Sequence, residues 1–181
     1  MVYENIPGWF NYQDFYDQMI EKFNHAIFVE IGAWKGRSAA YMGERIKESK
    51  KDIKYFVIDT FKGNPDELIH MSDPDIINRT LYQTFINNIK PLRDYITPLV
   101  GDSHLLHNKF NDNSIDFLFI DGDHSFKSVS EDIQLWLPKV KGILSGHDYN
   151  WLDVQKAVNE TFPYHKIYGE NVWYIELNKK L

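Results

Sequence analysis

Five apolar stretches of this chain each run into a polar group, and that repeated ending restricts the fold more than any other feature. Phe28-Val29 meets Glu30 and Gly32, Lys54 to Ile58 meets Asp59, and Ile96 to Val100 meets Gly101-Asp102-Ser103. Ile115 to Ile120 meets Asp121, and Gly142 to Ser145 meets Gly146-His147-Asp148. Short runs rich in Val, Ile and Phe read as buried strands. Helical patterns over residues 11–24, 37–49, 75–90, Ser125–Leu137 and 151–161 lie between or beside them, with a long loop over 60–74. Strands that alternate with helices specify a parallel sheet covered on both faces. The last two segments, His165–Tyr168 and Val172–Leu177, are joined by Gly169-Glu170-Asn171, a connection short enough for a hairpin and so for an antiparallel pair.

The fold class is therefore α/β, a doubly wound, mostly parallel, seven-stranded Rossmann-like sheet with the last strand antiparallel. With 43% hydrophobic and 15% aromatic residues, 181 residues bury one substantial core, which predicts a single domain over 1–181. Within it, 1–25 is an N-terminal helical and aromatic cap, and 26–181 is the core. Tyr3, Trp9, Phe10 and Tyr12 are dense for a chain end; lining a substrate mouth is one reading, packing under the first helix is the expected one, and no site role is assigned. A formal net charge of -6 argues against a nucleic-acid partner. No apolar stretch approaches the roughly 20 residues of a membrane span, and no signal peptide is visible, so a cytoplasmic protein is the expectation. The absence of cysteine removes disulfides, thiolate metal sites and cysteine nucleophiles.

In an open α/β sheet ligands bind outside the carboxyl ends of the strands, where the polar endings gather. The stretch Glu30-Ile31-Gly32-Ala33-Trp34-Lys35-Gly36-Arg37-Ser38 reads as strand, glycine turn and helix start. Such a turn brings main-chain N–H groups close to a small ligand, with Glu30 able to accept from a cationic or hydroxyl part. Its spacing fails the dinucleotide fingerprint, and no Gly-Lys-Ser/Thr closes it as a P-loop. Asp59 ends the adjacent strand, where an acid can take both hydroxyls of a ribose or cap the following loop. Asp102 and Ser103 offer an acceptor for an adenine amino group or, equally, a helix N-cap.

Acid-x-Gly-x-x-x-Gly-x-Ser resembles the first motif of the class I S-adenosylmethionine-dependent methyltransferases. The Ala33-Trp34-Lys35 filling resembles the catechol and caffeoyl-CoA O-methyltransferases in particular. That resemblance implies S-adenosyl-L-methionine over Glu30, Gly32, Ala33, Trp34, Gly36 and Ser38. It also implies ribose on Asp59, adenine near Asp102 and Ser103 with Phe61 as its wall, and Asp121 at the edge of the same site.

Asp121-Gly122-Asp123-His124 and Gly146-His147-Asp148-Tyr149 bring Asp, His and Asp to two neighbouring strand ends, a donor set suited to Mg²⁺ or Mn²⁺ and compatible with Zn²⁺ or Fe²⁺. The pairing resembles the metal-dependent O-methyltransferases, which implies a divalent cation on Asp121, His147 and Asp148. His147 departs from that family's pattern, since an acid is expected there; a shift of one residue would use Asp148 with Tyr149 and Asn150 instead. His124 stands where catechol-type enzymes carry a lysine base and where the chain resembles the macrolide-sugar O-methyltransferases in using histidine. An imidazole is suited to take a proton from a hydroxyl acidified by a cation, so His124 is the expected catalytic base.

The function these residues imply is metal-assisted O-methylation of a small hydroxylated molecule, a sugar diol or a catechol-like ring. A metal-independent N- or carboxyl-methyltransferase and a non-catalytic cofactor-binding partner protein are the alternatives. Oligomeric state stays open, a homo-oligomer being one way for a small core to complete its site.

Overall fold

The computed structural model describes residues 1–65 and 67–177; the expected core range therefore runs at 178–181 beyond the described residues. In chain order the elements are α1 (Gln13–Lys22), β1 (His25–Ile31), α2 (Arg37–Ser49), β2 (Asp52–Asp59), α3 (Leu68–Met71), α4 (Pro74–Ile77) and α5 (Leu81–Ile89). They continue with β3 (Ile96–Val100), α6 (Ser103–Leu106), β4 (Ile115–Ile120), α7 (Phe126–Trp136), β5 (Val140–Gly146), α8 (Leu152–Thr161), β6 (Lys166–Tyr168) and β7 (Val172–Glu176). Among the described residues no helix is long and apolar enough to cross a membrane.

The seven strands form one sheet in the order β3-β2-β1-β4-β5-β7-β6. β1 pairs in parallel with β2 and β4, β2 with β3, and β4 with β5. β7 runs antiparallel to β6, the pairing the short 169–171 connection predicts, and also to β5. The central strands are buried on both faces, and their side chains sort by the strand period of two. Phe28, Phe117 and Phe119 face the layer of α1, α2 and α5. Val29, Leu118 and Ile120 face α7 and α8, with Ile133, Trp136 and Val158.

The expectation of one helix over 75–90 is corrected. α4 ends at Ile77, Arg79 takes a left-handed backbone (φ 57°), and α5 starts only at Leu81. Asp75 drives the break: its carboxylate binds the hydroxyls of Thr80 and Thr84 at 2.8 Å each, while its carbonyl accepts from Thr80 N. Side-chain bonding of this kind competes with helix continuation. The stretch 60–74, read as loop, contains the single turn α3.

Candidate active site

The carboxyl ends of β1 to β5 open into one cavity of about 860 Å³, a size suited to a small ligand. Sheet order puts the β2 and β3 ends on one side of the glycine turn and the β4 and β5 ends on the other. Of the residues expected to touch a cofactor, Gly32, Ala33, Trp34, Ser38, Asp59, Asp102, Ser103 and Asp121 line the cavity. Glu30, Gly36 and Phe61 stand apart from the lining.

The β1–β2 side is built largely from the main chain. Asp59 Oδ2 accepts from Ala33 N (2.7 Å) and Trp34 N (2.9 Å), and Oδ1 accepts from Phe61 N (2.6 Å). The acid therefore holds the turn in shape, while burial pushes its pKa up against those three amides. Gly32, at φ 89°, has no room for a side chain, since a Cβ there would lie 2.0 Å from Asp121 O across the β1–β4 pair. Gly36, at φ 90°, starts α2 under the Phe85 ring, 2.9 Å from where a Cβ would be. Glu30 is anchored below the turn by the hydroxyls of Tyr16 (2.9 Å), Ser38 (2.5 Å) and Tyr55. Burial lifts its pKa to about 7 even with three donors opposing it. Phe61 packs on Tyr82 and Phe85, within the α5 layer.

The β4–β5 side is built from ionisable side chains. His124 Nδ1 lies 2.7 Å from Glu67 Oε1, and its Nε2 pairs with Asp148 Oδ2 at 2.9 Å. One ligand atom each from Asp121, His124 and Asp148 converge within 4.8 Å, the spacing of a metal cluster. The expected trio of Asp121, His147 and Asp148 is arranged differently. His147 turns Nε2 to Asn11 (2.9 Å) and leaves Nδ1 3.2 Å from Asp148 and 3.7 Å from Asp121. Burial disfavours charge on both imidazoles, but the facing carboxylates outweigh it: His124 is pushed up to about 9 and His147 is raised. Burial would also raise Asp148, yet the two imidazoles hold it well below the usual carboxylate range. Asp121 is raised, chiefly by burial, and accepts from the Tyr12 hydroxyl at 2.8 Å.

Several lining residues are ones to which sequence gave no site role, His70 and His104 among them, which read there as surface or structural histidines. Pro7 to Asn11 form a strap along the cavity, with Tyr12 reaching Asp121. The aromatic segment thus forms part of the wall. From the long loop, Glu67 holds His124 and His70 stacks on Trp34 at 4.3 Å between ring centres. Trp151, before α8, lies 4.6 Å from the His124 ring. Lys35 of the turn binds Asp73 (2.8 Å) and Asp75 (2.9 Å), which ties the loop down over the site. The available signal was the loop's length and its Glu and His content.

At the β3 end, Gly101 N donates to Asp59 O at 2.9 Å. Asp102 caps α6 by accepting from His104 N at 2.9 Å. Ser103 hydrogen-bonds Asp132 of α7, a carboxylate only 2% exposed. His104 Nε2 lies 3.4 Å from Asp132 Oδ1, and neither atom has a hydrogen-bond partner.

A family model described as a methyltransferase domain matches residues 29–149. Uncharacterized protein y4gI of Sinorhizobium fredii (strain NBRC 101917 / NGR234) is 24% identical over 145 residues. That match covers 78% of this chain and 15% of the relative, so the chain spans about a seventh of that protein. The O-methyltransferase NovP superposes with a TM-score of 0.65 at 20% identity, over 92% of this chain and 79% of its own. CalS11, described as a TDP-rhamnose 3'-O-methyltransferase of calicheamicin biosynthesis, gives 0.63 at 10% identity, over 91% and 76%. At these identities the two structures share the fold.

Proposed function

The chain belongs to the methyltransferase domain family, and from that premise we propose that it moves the methyl group of S-adenosyl-L-methionine to a hydroxyl of a small molecule. The observation that carries this reading is the division of one cavity into two unlike sides, a main-chain cradle on β1–β2 and an acid–imidazole cluster on β4–β5. The cradle suits the cofactor. Ala33, Trp34 and Ser38 line a turn that a side chain at Gly32 would fill, and Asp59, already fixed by three amides, keeps one lone pair on Oδ1 for a ribose hydroxyl. The sulfonium supplies an electrophilic methyl group. The chain's part is to hold the acceptor oxygen in line with it and to exclude water, which the strap and the Glu67 loop serve.

His124 is the base. Glu67 at Nδ1 fixes the tautomer in which Nε2 carries the lone pair, the arrangement by which a carboxylate orients a catalytic imidazole. Nε2 lies 2.9 Å from Asp148 Oδ2, and in the neutral ring it carries the lone pair that takes the proton of the acceptor hydroxyl. With a pKa near 9, His124 spends most of its time charged at neutral pH; positive charge near Asp121 and Asp148 would free it. A divalent cation held by those two acids would supply that charge and acidify the hydroxyl. The cluster fits a hard cation, since its ligand atoms already converge.

The same convergence favours a second reading, in which His124 is itself the third ligand with Asp121 and Asp148. One nitrogen cannot both ligate and accept a proton. Calorimetric titration of S-adenosylhomocysteine with and without Mg²⁺, followed by methyl release on diol and catechol panels, tests both. Tight cofactor binding with transfer to a diol or catechol supports the enzyme; binding with no transfer to any acceptor defeats it. If His124→Ala abolishes Mg²⁺ binding, the residue is a ligand; if Mg²⁺ still binds, it is the base.

A further inference from the structure

The reactive half of the cavity has an apolar rim over an acidic floor. We propose that the acceptor is an uncharged molecule with an apolar ring or chain beside its hydroxyl, and that acceptors carried on phosphate, such as a nucleotide-linked sugar or a coenzyme A thioester, are turned away. This deepens the reading of the chain as an O-methyltransferase and rests on it.

Among the described residues, three large apolar side chains line the cavity and also stay open to solvent: Trp9 (60% exposed) from the strap, Ile69 (58%) from the Glu67 loop and Trp151 (45%) before α8. Three separate segments supply them, and exposed apolar surface collected at one opening marks a contact for an apolar ligand. Contacts run from Trp9 to His70 (5.8 Å between ring centres), from His70 to Glu67 (3.5 Å), from Glu67 to His124 (2.7 Å) and from His124 to Trp151 (4.6 Å). An indole thus stands at each end of the row that holds the base. A ring or hydrocarbon chain laid on either indole brings a neighbouring hydroxyl toward His124 and shields apolar surface from water.

Charge points the same way. Glu67, Asp121, Asp123 and Asp148 line this half. Among the described residues no lysine lines the cavity, and its one arginine, Arg37, begins α2 on the cradle side and gives Nη1 to Gly8 O at 2.7 Å. The raised imidazoles of His124 and His147 face Asp148 at 2.9 and 3.2 Å, and burial lowers the pKa of His70. A divalent cation at Asp121 and Asp148 would offset those two acids and leave Glu67 and Asp123. A diphosphate arriving here meets like charge with no cation to receive it. Where the hydroxyl belongs to a sugar, the reaction that supplies this substrate is therefore a glycosyl transfer onto an apolar aglycone, which leaves the nucleotide diphosphate behind.

Methyl transfer from S-adenosyl-L-methionine to matched pairs measures the choice: nitrophenyl glycosides of glucose and rhamnose against the TDP-linked sugars, and ethyl caffeate against caffeoyl-coenzyme A. In the pair that is used, kcat/KM should favour the uncharged member by at least about a hundredfold. Trp9→Ala and Trp151→Ala should each raise KM for a nitrophenyl glycoside by about twofold to tenfold relative to the methyl glycoside of the same sugar, or for ethyl caffeate relative to catechol. Indoles that only support the fold would move both members of each comparison alike, which overturns the rim's part in binding. Equal or better use of the phosphate-bearing member by the native protein overturns the proposal without any variant. No transfer to either member of any pair, with S-adenosylhomocysteine still bound, removes the O-methyltransferase reading together with the inference, whereas transfer that prefers the phosphate-bearing member removes the inference alone.

Discussion

The two sides of the cavity are polar by different means. On the β1–β2 side the polar groups are satisfied: Asp59 by three amides, Glu30 by three hydroxyls. On the β4–β5 side Asp121, His124, His147 and Asp148 face one another as charged groups, with unequal distances and shifted pKa values. Saturated hydrogen bonding fixes a shape, and unsaturated charge leaves a capacity to exchange protons or bind an ion. The first side is built to hold, the second to react.

The largest effect that sharpens this contrast is expected at His124. His124→Ala should lower kcat by about 10² to 10⁴, the usual range for loss of a general base, and leave S-adenosylhomocysteine affinity nearly native. Parallel loss of turnover and binding in the same assays would erase the division. The converse variant is Asp59→Ala. Three amides lose their acceptor, so stability should fall by about 1 to 3 kcal/mol in urea melts and cofactor affinity should fall with it. An unchanged urea midpoint would mean that the turn keeps its shape unaided.

A smaller effect is expected from Glu67→Gln, which removes one source of His124's raised pKa. Since the base must be neutral to act, the rising limb of the kcat profile should move to lower pH. Linkage gives the same sign in stability. A histidine raised from 6.5 to about 9 contributes fully below pH 6.5 and loses that contribution as pH rises through 9, so the variant should lose less over this window. A limb that stays put would assign the proton to another group. The smallest effect concerns Glu30, whose folded pKa near 7 lies above its ordinary 4.5. A carboxyl raised on folding costs stability as pH climbs from 4.5 to 7, and Glu30→Gln should flatten that part of the urea-midpoint curve without moving the kcat limb.

The fold was legible because burial on both faces forces long apolar runs, and the five strand ends mark where those runs stop. Helix 37–49 is found at the bounds its pattern gives, since the glycine turn before it and Lys50 at φ 56° after it bracket the periodicity. The break between Ile77 and Leu81 was not legible, because it depends on Asp75 reaching two threonines in three dimensions. For the site, sequence identified the strand ends that meet the cavity. It did not supply what side chains do after turning: Glu30 faces inward to hydroxyls, and His147 turns toward Asn11. Glu67 joins His124 across 57 positions, and no local pattern announces such a pair.

The N-terminal strap has a consequence for the order in which the molecule can be made. Tyr12 reaches Asp121 across 109 positions, and Asn11 reaches His147 across 136. Contacts of such separation cannot close until most of the sheet exists, and they carry the entropic cost of long loops. On a ribosome, residues 11 and 12 emerge before β4 and β5 and wait for them before they have anything to hold. The reactive side is thus completed only after the chain's late strands emerge, which keeps a half-made chain from carrying an assembled acid–imidazole cluster.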